Sequence, residues 1–142
     1  LEKDLRNISS LIKQKGREIL NNYPITTPQF IALQWLLEEG DLTIGELSKK
    51  LYSAFSTTTD LVDRLEKNEL VKRVRDKDDG RVVRVHLLDK GKQIIDEVIE
   101  KRKNYLNEVM HAFNEEEALA ISNGLHQLLK EMEKHHEGTR NS

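Results

Sequence analysis

Residues 43–89 carry the most informative pattern of the chain and read TIGELSKKLYSAFSTTTDLVDRLEKNELVKRVRDKDDGRVVRVHLLD. Thr43 and Glu46 form a T-x-x-E capping box, which predicts that a short helix begins at Ile44 and ends at about Leu51. A second helix is predicted from residue 53 to about residue 68. Two short helices joined by a tight turn are typical of a helix-turn-helix.

The second helix is amphipathic, and its predicted N-cap is Ser53. Its apolar side carries Thr58, Leu61, Val62 and Leu65, which we expect in the core. Its polar side carries Ser56, Asp60, Asp63, Arg64 and Lys67, with Ser53 and Thr57 at the edge. Hydroxyl groups near a helix N-terminus suit base edges, and the backbone N–H groups there suit phosphate. The alternative is an ordinary solvated face whose Ser and Thr residues only cap the helix.

The hydrophobic period changes from helical to alternating after Leu70. Residues 71–75 and 82–88 read as strands, and the second strand places Val83, Val85 and Leu87 on one face. The polar segment between the strands ends in Asp79-Gly80, which is a strong hairpin signal. The sequence therefore predicts a β-hairpin directly after the helix-turn-helix.

Basic residues concentrate on this hairpin and its tip: Arg73, Arg75, Lys77, Arg81 and Arg84. Arg81 follows the turn, where an arginine can enter a narrow minor groove with enhanced negative potential. Arg73 and its neighbour Lys72 are candidates for phosphate contacts. The alternative is a solvated hairpin in which Asp76, Asp78 and Asp79 pair with these cations.

Further helices flank the central region. Residues 1–20 have apolar side chains at helical spacing, and a helix restarts with Thr27 as predicted N-cap and Pro28 at its first position. Downstream, Asp89 caps one helix, and Asn114 with Glu117 begins another. The apolar stripes are longer than one chain of this size covers, which favours a homodimer over packing within the chain alone.

Composition limits the function classes. The chain has 142 residues, a size typical of one domain, and a net charge of −2. Residues 43–92 hold 12 basic and 9 acidic residues, so the basic charge is concentrated in the middle. The absence of cysteine excludes disulfides and thiol-based sensing and fits a reducing compartment. No apolar run is long enough for a membrane span, so we expect a cytoplasmic chain with no membrane partner.

Several motifs resemble one family. They are Thr27-Pro28-Gln29-Phe30, LSKKL at 47–51, LVDRLEK at 61–67, Leu70-Val71, Asp79-Gly80-Arg81 and Leu88-Asp89-Lys90-Gly91. Together they closely resemble the MarR family of winged helix-turn-helix transcriptional regulators over nearly the whole chain. The resemblance implies a mainly α fold. It also implies that residues 1–142 form a single domain. Its winged helix-turn-helix covers 26–88 with a small β-hairpin wing, and helices at 1–22 and 89–137 form a dimerisation region.

The resemblance also implies a function. Family members usually act as homodimeric repressors on duplex DNA, each winged helix reading one half-site, and many are released by a small aromatic or anionic effector. It assigns the recognition helix to residues 53–64, a minor-groove contact to Arg81 and the orientation of nearby arginines to Asp79. The predicted DNA-binding residues are Ser53, Ser56, Thr57, Thr59, Asp60, Arg64, Arg73, Arg75, Lys77, Asp79 and Arg81. No effector-binding residue is identified, and no cofactor or metal is expected.

Three residues depart from the family pattern. Asp60 stands on the outward face where a basic or neutral polar residue is frequent; a carboxylate there can accept from cytosine but repels phosphate. Gly80 stands where a second wing arginine is frequent. Glu69 replaces a common glycine after the recognition helix, so we expect Asn68 to adopt the left-handed cap.

Other function classes have less support. The histidines lie outside nucleophile, metalloprotease and phosphate-loop motifs, so no enzyme is expected. The pairs Glu131/His135 and Glu133/His136 each share a helix face and, with His111 or His126, are candidate zinc ligands; the alternative is a solvated helix end. A protein-interaction module is compatible with the outward Asp60 and Asp63, and the salt dependence of binding distinguishes it from a DNA-binding protein.

Overall fold

Helices form most of the chain in the computed structural model, which describes the backbone of residues 1–140 and the side chains of residues 1–136. The helices are α1 Glu2–Leu20, α2 Thr27–Glu39, α3 Ile44–Leu51, α4 Phe55–Lys67, α5 Asp89–Met110 and α6 Glu115–Arg140. The strands are β1 Leu42–Thr43, β2 Val71–Arg75 and β3 Val83–Leu87, antiparallel in the order β1-β3-β2. The predicted mainly α fold with a winged helix-turn-helix is confirmed.

The chain divides into two compact units, Leu1–Arg102 and Lys103–Ser142. The first unit contains the helix-turn-helix formed by α3 and α4, the sheet, and the beginning of α5. The second contains the end of α5 and all of α6. No helix in the described part of the chain combines the length and the apolar character that crossing a membrane requires.

The core of the first unit is formed by the end of α1, by α2, α3 and α4, by the sheet and by α5. Its largest fully buried side chains include Phe30, Leu33, Leu47, Leu65, Leu70 and Ile95. The side of α4 predicted to face the core does so, since Thr58, Val62 and Leu65 are buried and Leu61 packs against them. The buried hydroxyl of Thr58 donates to the carbonyl of Ala54 at 3.0 Å, which satisfies its hydrogen-bonding requirement.

A close backbone contact at Gly91 joins the start of α5 to the segment that follows α4. A Cβ atom at this position would lie 2.5 Å from the carbonyl oxygen of Leu70 and 2.8 Å from the side chain of Leu87. The same carbonyl accepts from the N–H of Leu88 at 3.0 Å. Glycine is required here because there is no room for a side chain.

Two predicted capping pairs are present at helix starts. The Thr43 hydroxyl accepts from the Glu46 N–H at 3.0 Å, and the Glu46 carboxylate accepts from the Thr43 N–H at 3.1 Å. Asn114 and Glu117 make the same reciprocal bonds at 2.8 and 3.1 Å. Both pairs satisfy N–H groups that the first turn of a helix leaves open.

Three other predicted caps were wrong by one residue. Asp89 is the first residue of α5 rather than its cap, since the Lys92 N–H donates to the carbonyl of Leu88 at 3.1 Å. The N-cap of α2 is Thr26 rather than Thr27, because Thr26 and Gln29 form the capping box. The N-cap of α4 is Ala54 rather than Ser53. The Ser53 N–H instead donates to the carbonyl of Ser48 at 3.0 Å, so Ser53 still belongs to the turn that ends α3.

The sheet contains one strand that the sequence did not predict and a longer loop than the Asp-Gly signal suggested. β1 is only two residues long, and it pairs Leu42 with Val85. In the hairpin Arg75 pairs with Val83, so residues 76–82 form a seven-residue loop. Gly80 therefore lies inside this loop rather than in a two-residue turn, and its φ is not positive.

The end of α4 corrects the expectation that Asn68 adopts the left-handed conformation. Asn68 has φ −87°, and Glu69 has φ 61°. The Glu69 N–H donates to the carbonyl of Glu66 and the Leu70 N–H to that of Leu65, both at 3.0 Å. These bonds form a Schellman motif, which places the left-handed residue after the cap residue itself.

We expect Glu69→Gly to stabilise the protein by about 0.5–1 kcal/mol, because glycine adopts this conformation without the steric cost that an L side chain incurs. The free energy of unfolding in urea measures the effect. Asn68→Gly is the matched control and is expected to give no gain. Stabilisation by Asn68→Gly but not by Glu69→Gly would contradict the assignment.

Candidate nucleic-acid interface

The polar side of α4 is exposed from its first turn to its last. Its exposed side chains are Ser56, Thr57, Asp60, Asp63, Arg64 and Lys67, while Ser53 and Thr59 are half-buried. The Thr59 hydroxyl donates to the carbonyl of Phe55 at 3.0 Å. Its proton is therefore used within the helix, which leaves an acceptor lone pair and a methyl group for an outside partner.

The start of α4 has no side-chain cap within the described chain, because its N-cap residue is Ala54. The first N–H groups of a helix lack intrahelical acceptors, and the positive end of the helix dipole lies at the same place. Such an end attracts an anion when one is available. Exposed hydroxyls and open N–H groups thus lie together at the beginning of α4.

Arg73 joins α4 to β2. Its guanidinium donates to Asp63 Oδ1 at 2.6 Å and to Glu66 Oε1 at 2.7 Å, and its backbone N–H donates to Glu66 Oε2 at 2.9 Å. Burial lowers the pKa of Arg73, but the hydrogen bonds to Asp63 and Glu66 outweigh this and raise it overall. We call these three residues the Arg73 clamp. Arg73, predicted to contact DNA, has partners within the protein.

A second network orders the loop between β2 and β3. The Asp76 carboxylate accepts from the N–H groups of Asp78 and Asp79 at 3.1 and 3.0 Å. Arg84 donates to Asp76 at 3.1 Å and to Glu46 at 3.1 Å, so it connects the loop to the start of α3. Arg84 was not among the predicted site residues, although its place in the strand next to the buried Val85 was the available signal.

The tip of the loop presents Arg81. Its side chain is 92% exposed, yet its N–H and its Nε both donate to Asp79 Oδ1 at 3.1 Å. Arg75 donates to the carbonyl of Gly80 at 2.9 Å and so supports the same loop. Lys77 is exposed beside it and makes no ion pair with any described residue. The predicted wing residues thus lie together, with one arginine oriented outward.

A cleft of about 450 Å³ lies beside the end of α4. It is lined by Pro24, Ile25, Thr26, Gln29, Arg64, Lys67 and Asn68. Arg64 and Lys67 contribute two positive charges, and the start of α2 contributes its helix-dipole end. The cleft is therefore suited to an anion.

The candidate zinc ligands lie on α6, where Glu131, Glu133, His135 and His136 are all exposed. Among the described residues, no group of three or more His, Cys, Asp or Glu side chains is arranged to hold a metal ion. A structural zinc site needs four ligands, so these pairs do not form one within the described chain.

Comparison with known proteins agrees with this geometry. Residues 25–83 match the family model of the MarR family. A relative from Bacillus subtilis (strain 168), named as the uncharacterized HTH-type transcriptional regulator YsmB, is 58% identical over 134 residues, covering 94% of this chain and 92% of the relative. The chain belongs to the MarR family. The resemblance inferred from the sequence motifs is thereby confirmed.

Solved structures extend the likeness to the fold. A MarR family protein from Bacillus stearothermophilus shares 61% identity, with 93% of this chain and 92% of that chain covered and a TM-score of 0.85. FabT of Streptococcus pneumoniae, solved in complex with DNA, shares 24% identity over 94% of this chain and 95% of its own, with a TM-score of 0.75, and shows the common fold. Transcription regulation through a DNA-binding winged helix is the function class that MarR-family membership supports.

We expect the wing loop to keep its order from pH 8 to about pH 5 and to lose it only below about pH 4. The hydrogen bond from Arg84, followed by that from the Asp79 N–H, lowers the pKa of Asp76. A group whose pKa is lowered by folding stabilises the fold above its unfolded pKa, and this contribution is lost as the pH falls through the folded value.

The NMR chemical shifts of the Asp78 and Asp79 amides across pH 3–8 measure this transition. Asp76→Asn is the control, because it keeps an acceptor oxygen but does not titrate. A transition of these amides near pH 6 would contradict the assignment of loop order to Asp76.

Proposed function

We propose that this protein is a cytoplasmic repressor of transcription that binds an inverted repeat in duplex DNA as a homodimer. In this proposal α4 enters the major groove, and the loop between β2 and β3 reaches the adjacent minor groove. The observation that carries the proposal is Arg81, whose side chain is 92% exposed but whose guanidinium is held by Asp79. An oriented, solvated arginine at a loop tip is suited to the negative potential of a narrow minor groove.

The polar side of α4 supports the major-groove half of the proposal. Ser56 and Thr57 are small and exposed at the helix start, so the backbone can approach the DNA closely. The uncapped N–H groups there are suited to a phosphate. Asp60 is positioned to accept from a cytosine amino group, and Arg64 adds a positive charge on the same face. Ser53 and Thr59 complete the proposed contact surface at its edges.

The wing residues have two roles in the proposal. Arg75, Lys77 and Arg81 face the DNA backbone or the minor groove, while Asp79 holds Arg81 in position. Arg73 is a positioning residue, because its guanidinium is bound by two carboxylates of α4. The Arg73 clamp keeps the distance between α4 and the wing constant, so both elements meet adjacent grooves together.

Exposed apolar side chains support the homodimer. Among the described side chains of α6, none is buried, and Leu119, Leu125, Leu129 and Met132 are more than half exposed. α1 exposes Ile8, Leu11 and Ile12 in the same way. Helices gain most of their stability from burying an apolar face, so a helix with no buried side chain over residues 115–136 needs a partner. We assign dimerisation to residues 1–22 and 89–137 and DNA binding to residues 26–88; side chains beyond residue 136 lie outside the described ones.

Release by a small aromatic or anionic effector is the last part of the proposal. The cleft of about 450 Å³ beside α4 supports an anionic ligand, because Arg64 and Lys67 both line it. A ligand bound there neutralises two cations that the end of α4 otherwise offers to phosphates. The effector is therefore expected to compete electrostatically with DNA.

In vitro selection from random duplexes at physiological salt tests the function. We expect an enriched inverted repeat with half-site centres one helical turn, about 34 Å, apart, because each protomer of a two-fold dimer presents one α4 to the same side of the duplex. Direct repeats, or a single half-site bound by a monomer, would contradict the dimer. Binding without enrichment that disappears as salt is raised would instead favour a protein-interaction module.

Arg81→Ala is expected to weaken binding about threefold to tenfold on every duplex and to reduce the slope of log K against log salt by about one. The physical reason is that a wing arginine contributes charge and groove fit with little reading of individual bases. Fluorescence anisotropy across a salt series measures both quantities. Arg6→Ala is the charge-matched control, since Arg6 is exposed on α1 and pairs with Glu2, and analytical ultracentrifugation checks that it associates as the wild type does. Equal effects of the two substitutions would remove the wing from the proposed interface.

A further inference from the structure

Phe55 is exposed at the first residue of α4. Its side chain is 62% exposed, whereas Val62 and Leu65 of the same helix are fully buried and Leu61 packs against the core. A phenylalanine at this position contributes nothing to the core and has only modest helix propensity. An aromatic ring held in water at the tip of a helix is stabilised when a partner covers it.

Phe55 lies on the side of α4 that is nearer to the wing. Residues four or seven apart lie on the same side of an α-helix. Phe55, Thr59 and Glu66 have these spacings, so they form one row along α4. Glu66 binds Arg73 of β2, which places this row toward the sheet. The Thr59 hydroxyl donates to the Phe55 carbonyl, and Thr59 carries a methyl group one turn further along the same side.

We propose, on the basis of the proposed function, that Phe55 and the methyl group of Thr59 form an apolar surface that reads the 5-methyl group of a thymine in the major groove. Thymine is the base that presents a methyl group there, and phenylalanine and threonine methyls are suitable contacts for it. The surface distinguishes a T·A pair from a C·G pair, because cytosine has a hydrogen atom at the same position. Phe55 is thus a specificity-determining residue.

The surroundings of Phe55 favour a small apolar partner over a protein surface. Ser56 and Thr57 follow it on the exposed helix start, and Asp60 lies one turn further. One exposed ring followed by Ser56 and Thr57 is far smaller than the apolar patches through which proteins associate. A single methyl group within a polar groove matches its size.

The test replaces each thymine of the duplex recovered by in vitro selection with 2′-deoxyuridine, one position at a time. This change removes the 5-methyl group and leaves Watson–Crick pairing intact. Burial of one methyl group accounts for about a fourfold change in affinity, so we expect about that loss at one thymine in each half-site. Replacing both symmetry-related thymines is expected to weaken binding about fifteenfold, since distant contacts add.

Phe55→Ala provides the matching half of a double-mutant cycle. The variant is expected to bind the thymine duplex more weakly than the wild type does, and to bind the thymine and deoxyuridine duplexes equally well. Phe55→Leu is expected to keep part of the preference for thymine. Leu37→Ala truncates a partly exposed residue of α2 and is the control that should keep the full preference. Circular dichroism checks that each variant is folded.

Two results would overturn the inference while the proposed function stands. One is an affinity that no thymine-to-deoxyuridine change alters. The other is a Phe55→Ala variant that retains the thymine preference of the wild type, which would assign the preference to other residues or to DNA shape. If the wild-type protein enriches no duplex at all, both the proposed function and this inference fail.

Discussion

The arrangement of the candidate interface depends on the Arg73 clamp. Asp63 and Glu66 lie three residues apart on one side of α4, and both bind the guanidinium of Arg73 on β2. The Arg73 side chain is 28% exposed, so its ion pairs are less screened by solvent and salt than those of a fully exposed pair. Because the clamp uses a rigid, forked guanidinium and a backbone N–H, it defines direction as well as distance. α4 and the wing therefore belong to one rigid surface.

The chain has a net charge of −2, and ion pairs with arginines occupy much of the negative charge of its central region. Five carboxylates of the central region are occupied by arginines: Glu46, Asp63, Glu66, Asp76 and Asp79. Their side chains stay partly exposed, and their ion pairs with Arg73, Arg81 and Arg84 order the loop and the helix ends. Arg64, Lys67, Lys72 and Lys77 make no ion pair with any described residue, so their charge is directed toward solvent. Charge placement, rather than net charge, gives the interface its sign.

The two compact units differ in how they are stabilised. The first has a closed core in which Phe30, Leu33 and Leu47 are fully buried, and every described polar side-chain atom that is buried has a partner. The second has long helices whose apolar side chains face outward. In the proposed homodimer such helices gain stabilisation from association, and folding of this unit then depends on protein concentration. An apolar surface that must be covered and a polar surface that must remain open thus occur in different parts of one chain.

The sequence was sufficient wherever structure arises from contacts within a few residues. The Thr43–Glu46 capping box, the buried side of α4 and the strands of the hairpin were all predictable, because helix periodicity, strand alternation and caps are local. The motifs that resemble the MarR family are also short runs of neighbouring residues, so the family could be inferred from the sequence.

Tertiary structure was needed wherever the partners are distant along the chain. Arg84 and Glu46 are 38 residues apart, and β1 exists only because β3 returns beside it. The role of Arg73 likewise follows from where the folded hairpin lies against α4. The left-handed residue after α4 depends on closure of the backbone bonds in its last turn, which no side-chain preference at Asn68 or Glu69 reveals.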